Sequence, residues 1–173
     1  MLPDPLHPAI VHFPIVLAVL MPVIALAAAW VIHTGRAPAA AWVAVVAIQL
    51  LVVGSGWLAV ETGEQEEDRV ERVIAERPIE DHEDAAERFL VLAGLMLPLV
   101  AVGLLTHPIG TAARSLTVAA SLGLTAAVGF AGHSGGKLVY EHGAAVAYTQ
   151  PAQSGQTTPW IDHDDHDHDD DDD

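Results

Sequence analysis

Cysteine is absent from all 173 residues. This excludes disulfides, cysteine-ligated iron–sulfur clusters and covalently attached c-type haem within the chain. Positive charge is scarce: 7 Lys and Arg stand against 23 Asp and Glu, a net charge of −16. A surface of that sign repels the phosphates of nucleic acid. The sequence also lacks the His-Glu-x-x-His pattern of zinc hydrolases, a glycine-rich phosphate loop and a Ser–His–Asp arrangement. Hydrolase and kinase chemistry therefore have no recognisable carrier.

Charge of either sign is missing from four long runs. Residues 13–32, 37–60, 89–113 and 115–132 hold no Asp, Glu, Lys or Arg over 20, 24, 25 and 18 residues. A helix crossing the hydrocarbon needs about 20 predominantly apolar residues. The four runs predict an all-α fold, an integral membrane four-helix bundle. No Lys or Arg precedes the first run, and it exceeds the apolar stretch of a signal peptide, so it is expected to stay as a helix.

Helix one is expected to begin near Pro14, and helix two to cover 40–61. An acidic amphipathic linker should follow over 61–88, with Val70, Val73 and Ile74 on one side and a break at Pro78. Helix three then opens on acidic turns, where the helix dipole favours them. Helix four should cover 111–133, and a short interfacial helix 138–148. The transmembrane domain thus spans 1–148, and 149–173 reads as a disordered Asp/His-rich tail.

Four crossings place both termini on one side, here called side A. All the acids fall there: Asp4, the 61–88 segment, Glu141 and the tail. Side B has only the two short turns, with Arg36 and Arg114. The first helix has Arg after it and neither Lys nor Arg before it, which favours side B inside and both termini on the outer face.

The ten histidines are distributed unevenly. His7, His12, His82, His133 and His142 lie on side A near helix ends, and His33 and His107 on side B. Imidazole is the commonest metal ligand and is uncharged when neutral, so several at one membrane face suggest a metal or haem site. A lone interfacial histidine is ordinary, and the inference rests on the group. His12 and His133 are expected as a first axial pair, with His82 and His142 as a second pair or as supports beside His7. Thr125, Gly129 and His133 share one helix face, and Gly129 leaves a notch beside the imidazole where a porphyrin could lie; close helix packing explains the spacing equally well. Gly54, Ser55 and Gly56 near Trp57 raise the same alternatives. Lys137 and Arg88 could meet haem propionates, or simply reach out to the interface. Glu61, Glu83 and Glu141 could ligate or orient a histidine, or form a solvated acidic face. In the tail, Asp162, His163, Asp165, His166 and His168 are expected to bind divalent ions weakly.

The stretches "LHPAIVHFPIVL" (6–17), "TGE" (62–64), "HE" (82–83) and "GHSGGKLVYEHG" (132–143) together resemble DUF2231, a family of small multi-helix bacterial membrane proteins. The similarity covers roughly residues 5–148 and meets the family pattern at His7, His12, His82, His133 and His142. Some relatives are fused to Rieske-type or c-type cytochrome modules, so the resemblance implies a bacterial inner-membrane protein near electron transfer, with such a module as redox partner. Three functions compete at this stage. One is a b-type haem protein that carries electrons. Another is a protein that binds divalent metal. The third is a cofactor-free structural subunit of a membrane complex, and self-association is compatible with each.

Overall fold

The computed structural model describes residues 5–149. The proposed tail sites at Asp162, His163, Asp165, His166 and His168 lie outside the described residues. Four long helices carry the fold: α2 (His12–His33), α3 (Val43–Val70), α4 (Glu76–Val102) and α5 (Pro108–Tyr140). A single helical turn, α1 (His7–Ile10), leads into α2. Short 3-10 turns lie at Ala39–Trp42, before α3, and at Ala144–Tyr148, after α5. All four long helices are long and apolar enough to cross a membrane.

The helices form a square. Each packs against two neighbours in the cyclic order α2–α3–α4–α5, and the diagonal pairs make no close backbone approach. One core layer joins Ala18, Val52, Phe89, Ala93, Met96, Leu124 and Val128. The other, towards side B, joins Met21, Ala25, Trp42, Val45 and Val100. Large apolar side chains such as Phe13, Val23, Leu95, Leu122 and Phe130 point outward and are exposed. In water that surface would be costly; against lipid tails it is matched.

Polar side chains within the bundle bond mostly to backbone carbonyls, and among the described residues the buried Gln49 Oε1 alone lacks a partner. The hydroxyls of Thr117 and Ser121 donate to Ala113 O and Val118 O, one turn back. Thr125 lies within reach of both Ser121 O and Ala18 O, at 3.0 and 2.9 Å, and so links α5 to α2. Gln49 is fully buried and donates Nε2 to Ala93 O at 2.7 Å, linking α3 to α4.

Three boundaries differ from the sequence expectation. The charged segment is not a separate linker. Helix α3 continues through its acids to Val70, and α4 begins at Glu76, so only 71–75 is non-helical. Pro78 does not break a helix but sits in the first turn of α4, where a missing N–H costs nothing. Val70, Val73 and Ile74 are half-buried, as an amphipathic segment requires. At the N-terminus, helix begins at His7 rather than near Pro14. Helix α5 does not stop at His133, and Gly132, Gly135 and Gly136 are helical. Within 132–143 it is Gly143 that takes a left-handed conformation, φ 76°, and turns the chain into the last 3-10 segment.

At side B the turns are locked by close contacts. Trp42 donates its indole N–H to Val100 O at 2.9 Å. Arg114 donates to Gly103 O and Leu105 O, the open carbonyls beyond α4. A Cβ on Gly103 would collide with the Trp42 indole. Gly103→Ala should therefore lower stability by about 1–3 kcal/mol through overpacking. Thermal unfolding in detergent checks this, and a Trp42→Leu background should make the same change markedly cheaper.

Candidate functional site: a histidine pair at side A

The polar ends of three helices and α1 meet at side A. Helix α1 lies against α3. This places His7 beside the last apolar turn of α3, with its Nδ1 2.8 Å from Ala59 O. A carbonyl can only accept, so Nδ1 carries the proton, and in the neutral ring Nε2 keeps a lone pair. Thr62, buried one turn further on, holds its hydroxyl 3.5 Å from the same nitrogen. His82, on the first polar turns of α4, is fixed in the same way. Its Nδ1 lies 3.0 Å from Ser134 Oγ. Ser134 donates its own proton to Ala131 O at 2.9 Å, so it accepts from His82 Nδ1–H. The Ala131 carbonyl also lies within hydrogen-bonding reach of the His82 ring.

The two rings meet edge to face. Their centroids are 6.2 Å apart and their planes meet at 80°. Two glycines allow this approach. A Cβ on Gly63 would lie 3.3 Å from the His7 ring, and one on Gly135 would lie 3.0 Å from His82 Cε1. The glycines of "GHSGG" thus serve ring packing, not a turn. Both histidines are half-buried. Two charged imidazoliums at this spacing would repel each other, so the packing favours neutral rings.

Around the pair lies a belt of carboxylates. Glu66 is within electrostatic reach of His7. Glu83 hydrogen-bonds Glu67, with Glu64 and Glu87 close by. This joins the last turns of α3 to the first turns of α4 through their acids.

The remaining residues singled out from the sequence stand apart. His12, His133 and His142 are exposed, and no ring contact or hydrogen bond joins them to the pair. Helices α2 and α5 are antiparallel and linked at Ala18 and Thr125. Stepping six residues towards side A on each brings position 12 level with position 131, so His12 and His133 stand at similar heights on outer faces. Gly129 has open space where a Cβ would go. Lys137 is exposed, and Arg88 is exposed and pairs with Asp84 at 2.6 Å. Glu61 is exposed and accepts from Gln65, and Glu141 is exposed. Among the described residues no group of three or more His, Asp or Glu is placed to hold a metal ion.

Gly63, Thr62, Ser134 and Gly135 were not singled out as site residues from the sequence, although all lie within the quoted stretches. A small residue one or two positions from a histidine in such a stretch is the signal that marks them.

Four apolar helices, an outward apolar surface and a polar end that pairs two imidazoles define an integral membrane protein with a side-chain site at one face. The chain matches the family described as "Predicted membrane protein (DUF2231)" over residues 3–148, and it belongs to that family. No curated protein and no solved structure matches it.

The tautomers can be measured. In protein labelled with 15N-histidine, at neutral pH in detergent, His7 and His82 should both show a protonated Nδ1 and an unprotonated Nε2. Ser134→Ala should return His82 to a tautomer mixture and leave His7 unchanged.

Proposed function

We propose that the protein is a b-type haem protein of the bacterial inner membrane, with His7 and His82 as axial ligands, and that it carries electrons at the face holding its termini. The observation that carries this is the pair of half-buried imidazoles, each held at Nδ1 by an oxygen from a neighbouring helix. Such a second partner on Nδ1 fixes the tautomer and raises the basicity of a ligating histidine. The spacing supports the same conclusion. An imidazole nitrogen binds a first-row metal at about 2.0 Å, so two rings on opposite sides of one ion have centres about 6.3 Å apart, and rings at a tetrahedral angle about 5 Å. The 6.2 Å separation of the centroids is compatible with the opposed arrangement.

Ligand number supports haem over a bare ion. Structural zinc takes four protein ligands and catalytic zinc three. Two histidines without a third partner suit a metal whose other positions are filled by a porphyrin. Haem bound this way supplies one-electron chemistry, and the surrounding shell sets its potential. The chain's own contribution is to orient both rings through Ala59, Ser134 and Ala131, and to surround them with acids that favour the oxidised, more positive state. A Rieske-type or c-type cytochrome partner fits a face that collects electrons outside the membrane.

One observation favours a second reading, a copper(I) ion held between the two nitrogens: the belt of Glu64, Glu66, Glu67 and Glu83 attracts cations.

The test is an absorption spectrum of the protein purified in mild detergent from haem-replete cells, oxidised and then dithionite-reduced, with pyridine hemochrome quantification. A sharp reduced α-band at one haem per chain is expected. His7→Ala and His82→Ala should each lose most of it, and His12→Ala and His133→Ala should retain it. A colourless protein that holds one copper per chain would replace haem with the second reading. The opposite ligand pattern would move the site to the exposed pair.

A further inference from the structure

At the other end of the bundle, a groove of about 640 Å³ opens between the end of α2 and the start of α5. Leu26, Ala29 and Ile32 of α2 form its apolar wall, and Arg114, Thr111 and Ser115 of α5 its polar side. Trp30 and His33 also line it.

Arg114 faces the Trp42 ring at 5.9 Å but has no opposite charge beside it. Arg114 is only 7% exposed, and a guanidinium stays ionised. It donates through Nε and one terminal nitrogen to the carbonyls of Gly103 and Leu105, and no hydrogen bond engages its other terminal nitrogen. A second cation is next to a lining residue: Arg36 lies over the Trp30 ring at 4.6 Å. No Asp or Glu occurs between residues 5 and 60 or between 88 and 140, so no carboxylate of this region can answer either arginine. A buried charge without an opposite charge is costly. An anion in the groove would relieve that cost.

The walls indicate which anion. Leu26 and Trp30, both more than half exposed, belong to the surface that meets lipid. A ligand seated here has an apolar part along α2 and a negative part against Arg114 and Arg36. We propose that the groove binds an anionic phospholipid from the side-B leaflet, with its phosphate between the two arginines and an acyl chain along Leu26, Ala29 and Ile32. Basic pockets between transmembrane helices recognise headgroups in this way. The site is separate from the histidine pair and does not depend on what that pair binds.

Arg114→Gln would confound a test, because Arg114 also closes the turn after α4. Ser115→Trp fills the groove instead: Ser115 is exposed and bonds only to Thr111 O of its own helix. Delipidated full-length protein would be titrated with phosphatidylglycerol, phosphatidylcholine or inorganic phosphate in detergent, with bound lipid read by native mass spectrometry and thermal stability read in parallel. Phosphatidylglycerol should bind about tenfold more tightly than phosphatidylcholine, and Ser115→Trp should abolish that preference at unchanged helix content. Arg36→Gln should weaken phosphatidylglycerol about fivefold. Equal binding of the two lipids, or a preference that survives Ser115→Trp, would overturn the proposal. Stabilisation by inorganic phosphate equal to that by phosphatidylglycerol would overturn the lipid assignment in favour of a free anion.

Discussion

A backbone N–H or C=O in hydrocarbon has no water to bond, and each one left unpaired costs several kcal/mol. Most of this structure follows from that constraint. The parts of the apolar runs that cross the hydrocarbon must be helical, so irregular backbone is confined to the helix ends, at 34–38, 71–75, 103–107 and 141–143. The hydroxyls of Thr117 and Ser121 return their protons to their own helix. Even the turn after α4 has its carbonyls closed by Arg114. Polar chemistry is then available only at the two faces, and the two faces are unlike.

Side A collects acids and histidines, and side B has two arginines and no acid. This asymmetry gives the bundle a polarity along the membrane normal. At side A, α3 and α4 extend beyond their apolar parts as charged helices. That extension carries Glu66 and Glu67 up to the level of His7 and Glu83. A flexible linker in the same place would have left His82 without a fixed neighbour. The rigid overshoot of α3 and α4 is therefore what converts two interfacial histidines into a pair with defined tautomers.

Much of the fold was legible because hydrophobic length is a strong signal. Four charge-free runs specified four helices and their up-down order. The boundaries were less legible, since charge in 61–88 reads as linker although i,i+4 pairs such as Asp84–Arg88 suit a helix equally well. At 132–136 the small size of glycine is what matters, because a Cβ on Gly135 would press on the His82 ring at 3.0 Å. Choosing among the histidines was beyond the sequence as well. His7 and His12 look alike in "HPAIVH", but only His7 sits on α1, and the break between α1 and α2 turns it towards Ala59. That choice depends on contacts between residues more than fifty positions apart, which periodicity does not encode.

The proposal to test is that His7 and His82 would together hold one haem. Low-temperature electron paramagnetic resonance of the oxidised, purified protein tests it most directly. Imidazole planes near the observed 80° predict a low-spin ferric signal with the strong anisotropy of perpendicular axial rings. That signal should disappear in both His7→Ala and His82→Ala. A low-spin signal unchanged by either substitution, or no ferric haem signal from protein made in haem-replete cells, would contradict the account.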